Sequence, residues 1–221
     1  RRRFVRCAVN MGEQEDELRA ARIRHGLKLS AGGLSVLAAV AILLIAAGVF
    51  DPKTLGPLIQ TDRLGAHTLK QPGDVFIPLS APWASAAAPN RFSVRLKAAY
   101  QEGELDSGFG LALGDGSSRL VVALSPLGYV TVQRDGGDDP PTYLLPWQTW
   151  PHVRPGPAEN ELWLDVDNGN DGRTDVTAWI NRELLWRGEL DKVPDGLSLW
   201  LDTYGAAVTV DFRSLEWFAA P

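Results

Sequence analysis

The segment RFSVRLKAAY, residues Arg91–Tyr100, carries the clearest signal for the fold. Apolar side chains occupy every second position, namely Phe92, Val94, Leu96, Ala98 and Tyr100. Polar and charged side chains alternate with them, namely Arg91, Ser93, Arg95 and Lys97. Because successive side chains of a strand point to opposite faces, this alternation predicts a β-strand with one buried face.

The same alternation recurs through the rest of the chain. Its clearest examples are Leu162, Leu164 and Val166, then Val176, Ala178 and Ile180, then Leu197, Leu199 and Leu201, and finally Val208, Val210 and Phe212. Turns rich in Gly, Asp and Asn separate these runs. We expect ten to eleven short strands within residues 74–221, folded as an antiparallel jelly-roll β-sandwich, so the chain is mainly β.

Three stretches carry a family resemblance. The run SGFGLALGDGSSRLVVALSPLGYVTVQRDGG (Ser107–Gly137) is similar to the centre of concanavalin A-like, laminin-G-type jelly rolls. The run Asn160–Gly188 resembles the later hairpins of that fold, with Asn181 at the family's turn Asn, and Gly196–Trp217 resembles its closing strands. The resemblance implies a fold, and domains of this fold serve as sugar-binding modules, enzymes or interaction domains.

Catalytic signatures are weak. Glycosidases of the resembled fold pair carboxylates in an E-x-D-x-x-E pattern, and the nearest match here is Glu102, Glu104 and Asp106 with a different spacing. The chain has no G-x-S-x-G motif, and its histidines are not clustered. The sequence therefore predicts no enzyme, no catalytic residues and no bound cofactor apart from a candidate calcium ion.

That candidate calcium site lies in the Asp-rich segment after residue 164. Asp167, Asp171 and Asp175 stand at positions 1, 5 and 9 of a loop with glycine at position 6, and calcium prefers six to eight oxygen ligands. The loop lacks a side-chain oxygen at Gly169, where calcium loops of repeat proteins carry one. An Asx-rich hairpin without an ion explains the same residues.

Tryptophan is frequent, and all eight follow residue 50. Trp163, Trp179 and Trp200 each occupy the phase opposite to the aliphatic core of their own strand. If those strands are neighbours, the three indoles share one sheet face. Such a row is typical of a protein interface, of a covered sheet face or of a platform for sugar rings.

A different signal comes from LSAGGLSVLAAVAILLIAAGVF, residues Leu29–Phe50, which contains no charged side chain. A helix of this length reaches ~33 Å, enough for the ~30 Å core of a bilayer. The pattern predicts a cytoplasmic tail over 1–28, a transmembrane helix over 29–50, a linker over 51–73 and an extracytoplasmic domain over 74–221. Small residues at Ala31, Ser35 and Ala39 form a stripe suited to helix packing.

Charge supports that orientation. Eight basic and four acidic residues precede residue 51, which leaves 14 basic and 23 acidic residues, a net charge of −9, in the rest. Basic flanks mark the cytoplasmic side of a spanning helix, and an acidic domain disfavours nucleic acid as a partner. The expected location is therefore the cell membrane, with the C-terminal domain extracytoplasmic.

These observations predict a non-catalytic single-pass protein that serves as an accessory or structural subunit of a larger membrane complex. Its expected partners are the bilayer and other membrane-protein subunits. Two alternatives remain open. One is a surface carbohydrate-binding module, and the other is an extracytoplasmic sensor domain whose receptor has a cytoplasmic domain before Arg1.

Overall fold

A computed structural model describes residues 34, 36–49, 51–83, 89–114, 118–137, 140–169, 172–191 and 194–219. The chain divides into two compact units, Arg1–Pro52 and Lys53–Pro221. In the described part of the first unit, residues 34 and 36–46 are helical, and we call 36–46 α1. Ala39 lies on α1 with its side chain exposed, whereas Ala31 and Ser35 of the predicted packing stripe lie outside the described residues.

The predicted location in the cell membrane is wrong by this structure. Among the described residues, no helix combines the length and the apolar character that a membrane crossing needs. Residues 29–33, 35 and 50 of the predicted span lie outside the described residues.

The second unit is a sandwich of two antiparallel sheets, as the alternation predicted. In its described residues we number thirteen strands, β1 Leu58–Asp62, β2 Gly65–Leu69, β3 Gly73–Pro78, β4 Arg91–Gly103, β5 Ser107–Leu113, β6 Arg119–Leu124, β7 Tyr129–Asp135, β8 Thr142–Thr149, β9 Asn160–Asn168, β10 Thr174–Ile180, β11 Glu183–Leu190, β12 Leu197–Thr203 and β13 Val208–Ala219.

Sheet A has seven strands, in the order β1-β13-β4-β9-β10-β11, with β2 also paired to β13. Sheet B has six strands, in the order β3-β12-β5-β6-β7-β8. Strands distant in sequence are therefore neighbours, as where β12 lies between β3 and β5. Two of the strands, β1 and β2, fall within residues 51–73, where the sequence predicts a linker.

The core lies between the two sheets and consists of the alternating apolar positions. Val94, Leu164 and Val176 come from sheet A, and Leu111, Val122 and Leu199 meet them from sheet B, all with 0–1% exposure. Between β10 and β11, Asn181 and Arg182 both have positive φ, 50° and 72°, which a tight two-residue hairpin turn requires. The Asn181 side chain accepts a hydrogen bond from the backbone N–H of Glu161 at 2.9 Å, which ties this turn to β9.

Candidate functional site

The outer face of sheet B, the face directed away from the core, has a centre of small side chains. On β5 the outward positions are Gly108, Gly110 and Ala112, and on β6 they include Val121 and Ala123. Ala112, Val121 and Ala123 are nonetheless completely buried. Something other than the core must therefore cover them.

The cover is a layer of aromatic rings. Trp200 of β12, Phe76 of β3 and Trp147 of β8 pack on the small side chains, and Trp200 is only 2% exposed. A side chain on Gly108 would place its Cβ 2.7 Å from Cζ3 of Trp200 and 3.1 Å from Cη2 of Trp147. Such a close approach is possible only for glycine, so Gly108 lets both indoles contact the strand.

Two adjoining cavities, each of about 310 Å³, lie over this aromatic layer. Trp147 and Tyr129 line the first, Tyr143 and Trp200 line the second, and Tyr204 lines both. We call the two cavities together the groove. The three tyrosines are 38–58% exposed, so their rings are available to a ligand.

Carboxyl groups lie beside the rings. Asp202 and Asp74 face each other across β12 and β3, and Asp106 lies in the loop before β5. The indole N–H of Trp200 donates to Asp74 Oδ2 at 3.3 Å, and the Tyr204 hydroxyl donates to Asp202. These hydrogen bonds fix the Trp200 and Tyr204 rings relative to the carboxyl groups of Asp74 and Asp202 at this end of the groove.

Asp202 is 8% exposed and has an altered acidity. Its burial, followed by the negative charge of Asp74, raises the pKa of Asp202 to about 6. Burial and the neighbouring Asp202 carboxylate raise the pKa of Tyr204 to about 12, so its hydroxyl remains a donor at neutral pH. A carboxyl group that titrates near neutrality in a cleft is a mark of functional sites as well as of structural networks.

The arginine that lines the groove, Arg119, already has partners. Its Nη1 lies 3.1 Å from Oδ2 of Asp135, and its guanidinium lies 3.9 Å from the centre of the Phe76 ring. Its charge is thereby balanced, and its position is fixed along the wall of the groove.

The three tryptophans singled out by the sequence do not share a face. Trp163 and Trp179 are direct neighbours on β9 and β10 of sheet A, with ring centres 6.0 Å apart, whereas Trp200 belongs to sheet B. Both sheet A indoles donate to Asp165, at 2.7 and 3.0 Å. Burial raises the pKa of Asp165, and three side-chain hydrogen bonds, from Ser93, Trp179 and Trp163, oppose that shift.

The same cluster is covered from outside. The backbone N–H of Leu55 donates to Ser93 Oγ at 2.8 Å, so the segment before β1 runs over this part of sheet A. Trp163 is 2% exposed. Of the three tryptophans in the predicted row, only Trp200 therefore belongs to an aromatic layer beside an open cavity.

Two of the three candidate calcium ligands can be located, since Asp171 lies outside the described residues. Asp167 and Asp175 are opposite each other on β9 and β10, and Asp167 Oδ2 pairs with Arg91 Nε at 2.8 Å. In the described part of the chain, no three His, Cys, Asp or Glu residues are grouped for a metal ion. Calcium at this loop stays a prediction.

Sequence reasoning missed most of the groove, namely Trp147, Tyr129, Tyr143, Tyr204, Asp74 and Asp202. They come from β3, β7, β8, β12 and the loop that follows β12, and strand order alone brings them together. One local signal was available. The outward positions of β5 are all small, as Gly108, Gly110 and Ala112, which indicates a second layer over that face.

No protein-family model and no curated protein matches the chain. Among solved structures, the carbohydrate-binding module CBM66 from Bacillus subtilis aligns at a TM-score of 0.48 and 12% identity, over 76% of this chain and 100% of that one. Alginate lyase Aly36B aligns at 0.45 and 9%, over 71% and 82%. The galectin LEC-6 from Caenorhabditis elegans aligns at 0.39 and 18%, over 68% and 94%. The fold assignment rests on the strand pairing of the chain itself.

Proposed function

We propose that this protein is a non-catalytic carbohydrate-binding module, built on a jelly roll of the concanavalin A-like, laminin-G type, with the groove of sheet B as its sugar site. The observation that carries the proposal is the groove itself, where Trp147 and Tyr204 stand beside the carboxyl groups of Asp106 and Asp202. The role as a subunit of a membrane complex is not proposed, because it depended on the spanning helix.

Sugar rings suit this combination of side chains. Their C–H faces are apolar and stack on aromatic rings, while their hydroxyls donate to carboxylates and carbonyls. Tyr129, Tyr143 and Tyr204 supply rings with a polar edge, and Asp74, Asp106 and Asp202 supply acceptors. A cleft with aromatic walls and a few fixed polar groups is a typical small-ligand site.

The groove carboxyls favour binding over catalysis. A glycosidase needs one carboxyl group as acid and a second as nucleophile or base, both free to act on the sugar. Here Asp74 accepts from the Trp200 indole, and Asp202 accepts from the Tyr204 hydroxyl and the backbone N–H of Thr203. Each carboxylate keeps further lone pairs for sugar hydroxyls, but neither is free to transfer a proton to the sugar or attack it, so we expect glycans to bind without being cleaved.

The test is a glycan array with the full 221-residue chain, followed by calorimetric titration of the best ligand. We expect Trp147→Ala and Tyr204→Ala each to weaken binding about tenfold, since a lost ring contact is worth ~1.4 kcal/mol. The matched control is Trp179→Ala, which removes a half-buried indole from sheet A. Chromatography of the incubated glycan checks for cleavage products.

Absence of binding to every glycan would overturn the proposal. Equal loss of affinity in Trp179→Ala and Trp147→Ala would also overturn it, because the site would then not be the groove. Cleavage products that disappear in Asp202→Asn would replace the binding module with an enzyme.

A further inference from the structure

Among the described residues that line the groove, Arg119 is the only cation beside three carboxyl groups. Asp74 from β3, Asp202 from β12 and Asp106 from the loop between β4 and β5 converge there. The charges of Asp74 and Asp106 both oppose ionisation of Asp202. Arg119 forms an ion pair with Asp135 and a cation–π contact with Phe76, so its charge does not neutralise the three acids.

Two kinds of cation could balance them, a metal ion or an organic ammonium group. A metal site needs several oxygen ligands around one point, and the described residues contain no such group of acids. The groove instead combines acids with aromatic rings, as in the cavity lined by Asp106, Tyr129, Trp147 and Tyr204. Aromatic faces attract ammonium groups through the negative potential of their π-systems, and a desolvated contact adds ~2 kcal/mol.

We propose that the groove selects glycans with a protonated amino group, the oligomers of deacetylated hexosamine, over neutral and acidic glycans. This inference rests on the proposed function and specifies its ligand class. The sugar rings stack on Trp147 and the tyrosines, and the ammonium group lies between Asp106 and the Asp74–Asp202 pair. The same carboxylates repel uronic acids and sulfated sugars.

The experiment titrates the full chain with three tetrasaccharides at about pH 6, where ordinary carboxyls are charged and the amino groups of a glucosamine oligomer are largely protonated. The probes are a glucosamine oligomer, its N-acetylated counterpart and a galacturonic acid oligomer. We expect the amino sugar to bind about tenfold more tightly than the N-acetylated one, since a charge-assisted hydrogen bond adds ~1.5 kcal/mol. The uronic acid oligomer should bind more weakly than both.

Charge-removing variants separate this preference from general sugar binding. Asp106→Asn and Asp74→Asn should each reduce the preference for the amino sugar about threefold, as partly exposed ion pairs do, because they weaken the amino-sugar complex more than the N-acetylated complex. The matched control is Glu183→Gln on an exposed position of β11 in sheet A. Added salt should weaken only the amino-sugar complex, because screening acts on charged pairs.

The possible failures are distinct. Equal affinity for the glucosamine and N-acetylated oligomers, or tighter binding of the uronic acid oligomer, would overturn the amino-sugar inference and leave the carbohydrate-binding function standing. A preference that survives Asp106→Asn, Asp74→Asn and Asp202→Asn together would also overturn it. Failure of all glycans to bind would overturn both proposals.

Discussion

At the scale of single residues, Asp202 makes the stability of the fold depend on pH near neutrality. Its folded-state pKa of about 6 is above the ordinary 3.8, so the folded protein holds this proton more tightly than the unfolded chain does. The stability it contributes is complete below about pH 4 and is lost as the pH rises through about 6. We expect the free energy of unfolding to fall by ~1–2 kcal/mol over that range from this group, allowing for solvent screening.

Urea denaturation at a series of pH values measures this contribution as the difference between the natural chain and Asp202→Asn. Asparagine keeps an acceptor for the Tyr204 hydroxyl but carries no charge, so the variant should gain stability relative to the natural chain above about pH 6. Parallel pH curves for the two proteins would contradict the assignment.

The sequence identifies some residues of the site and misses others for a definite reason. The alternation correctly puts Trp200 on the side of β12 opposite to Leu199 and Leu201, and the structure buries both leucines in the core. It cannot tell which sheet β12 joins, because that depends on pairing with β3 and β5. Asp202 shares the outward phase with Trp200, but its raised pKa comes from burial and from Asp74, more than a hundred positions away.

At the scale of elements, the edge of β13 carries two strands that the composition of residues 51–73 does not predict. The two short strands β1 and β2 pair with successive parts of this long strand, whose other edge pairs with β4. The Pro and Gly content of residues 51–73 favours a linker in the sequence analysis. The strands β1 and β2 escape notice there because five residues are too few to show a convincing alternation. Long strands buried on one face, such as β4 and β13, are the ones that the sequence predicts well.

A side-chain hydrogen bond supports the backbone pairing of β1 with β13. The indole N–H of Trp217, a residue 1% exposed, donates to Asp62 Oδ2 at 3.0 Å. Asp62→Ala leaves this buried donor without its acceptor, so we expect a loss of ~1–3 kcal/mol in the free energy of unfolding. Asp62→Asn keeps an oxygen acceptor and should lose clearly less. Equal losses in thermal or urea denaturation would show that the carboxylate acts through its charge instead.

At the scale of the whole sandwich, the two outer faces differ in what covers them. On sheet A, Trp163, Trp179 and Ser93 donate to Asp165, and the backbone N–H of Leu55 donates to Ser93. On sheet B, the aromatic layer is followed by open cavities. A polar network whose hydrogen bonds are all made within the protein stabilises the free protein. Exposed rings and carboxyl groups add stability only when a bound ligand contacts them.

This difference predicts how a ligand changes the melting temperature. A glycan at 100 times its Kd adds ~2.7 kcal/mol to the free energy of unfolding, or about 5–10 °C for a unit of this size. Trp179→Ala should lower the melting temperature of the free protein, because it removes a donor to Asp165, yet keep the full increase on ligand binding. Trp147→Ala, with about tenfold weaker binding, should show roughly half of that increase at the same ligand concentration. Differential scanning calorimetry of the three proteins distinguishes the faces, and a reduced increase in Trp179→Ala would place the ligand on sheet A instead.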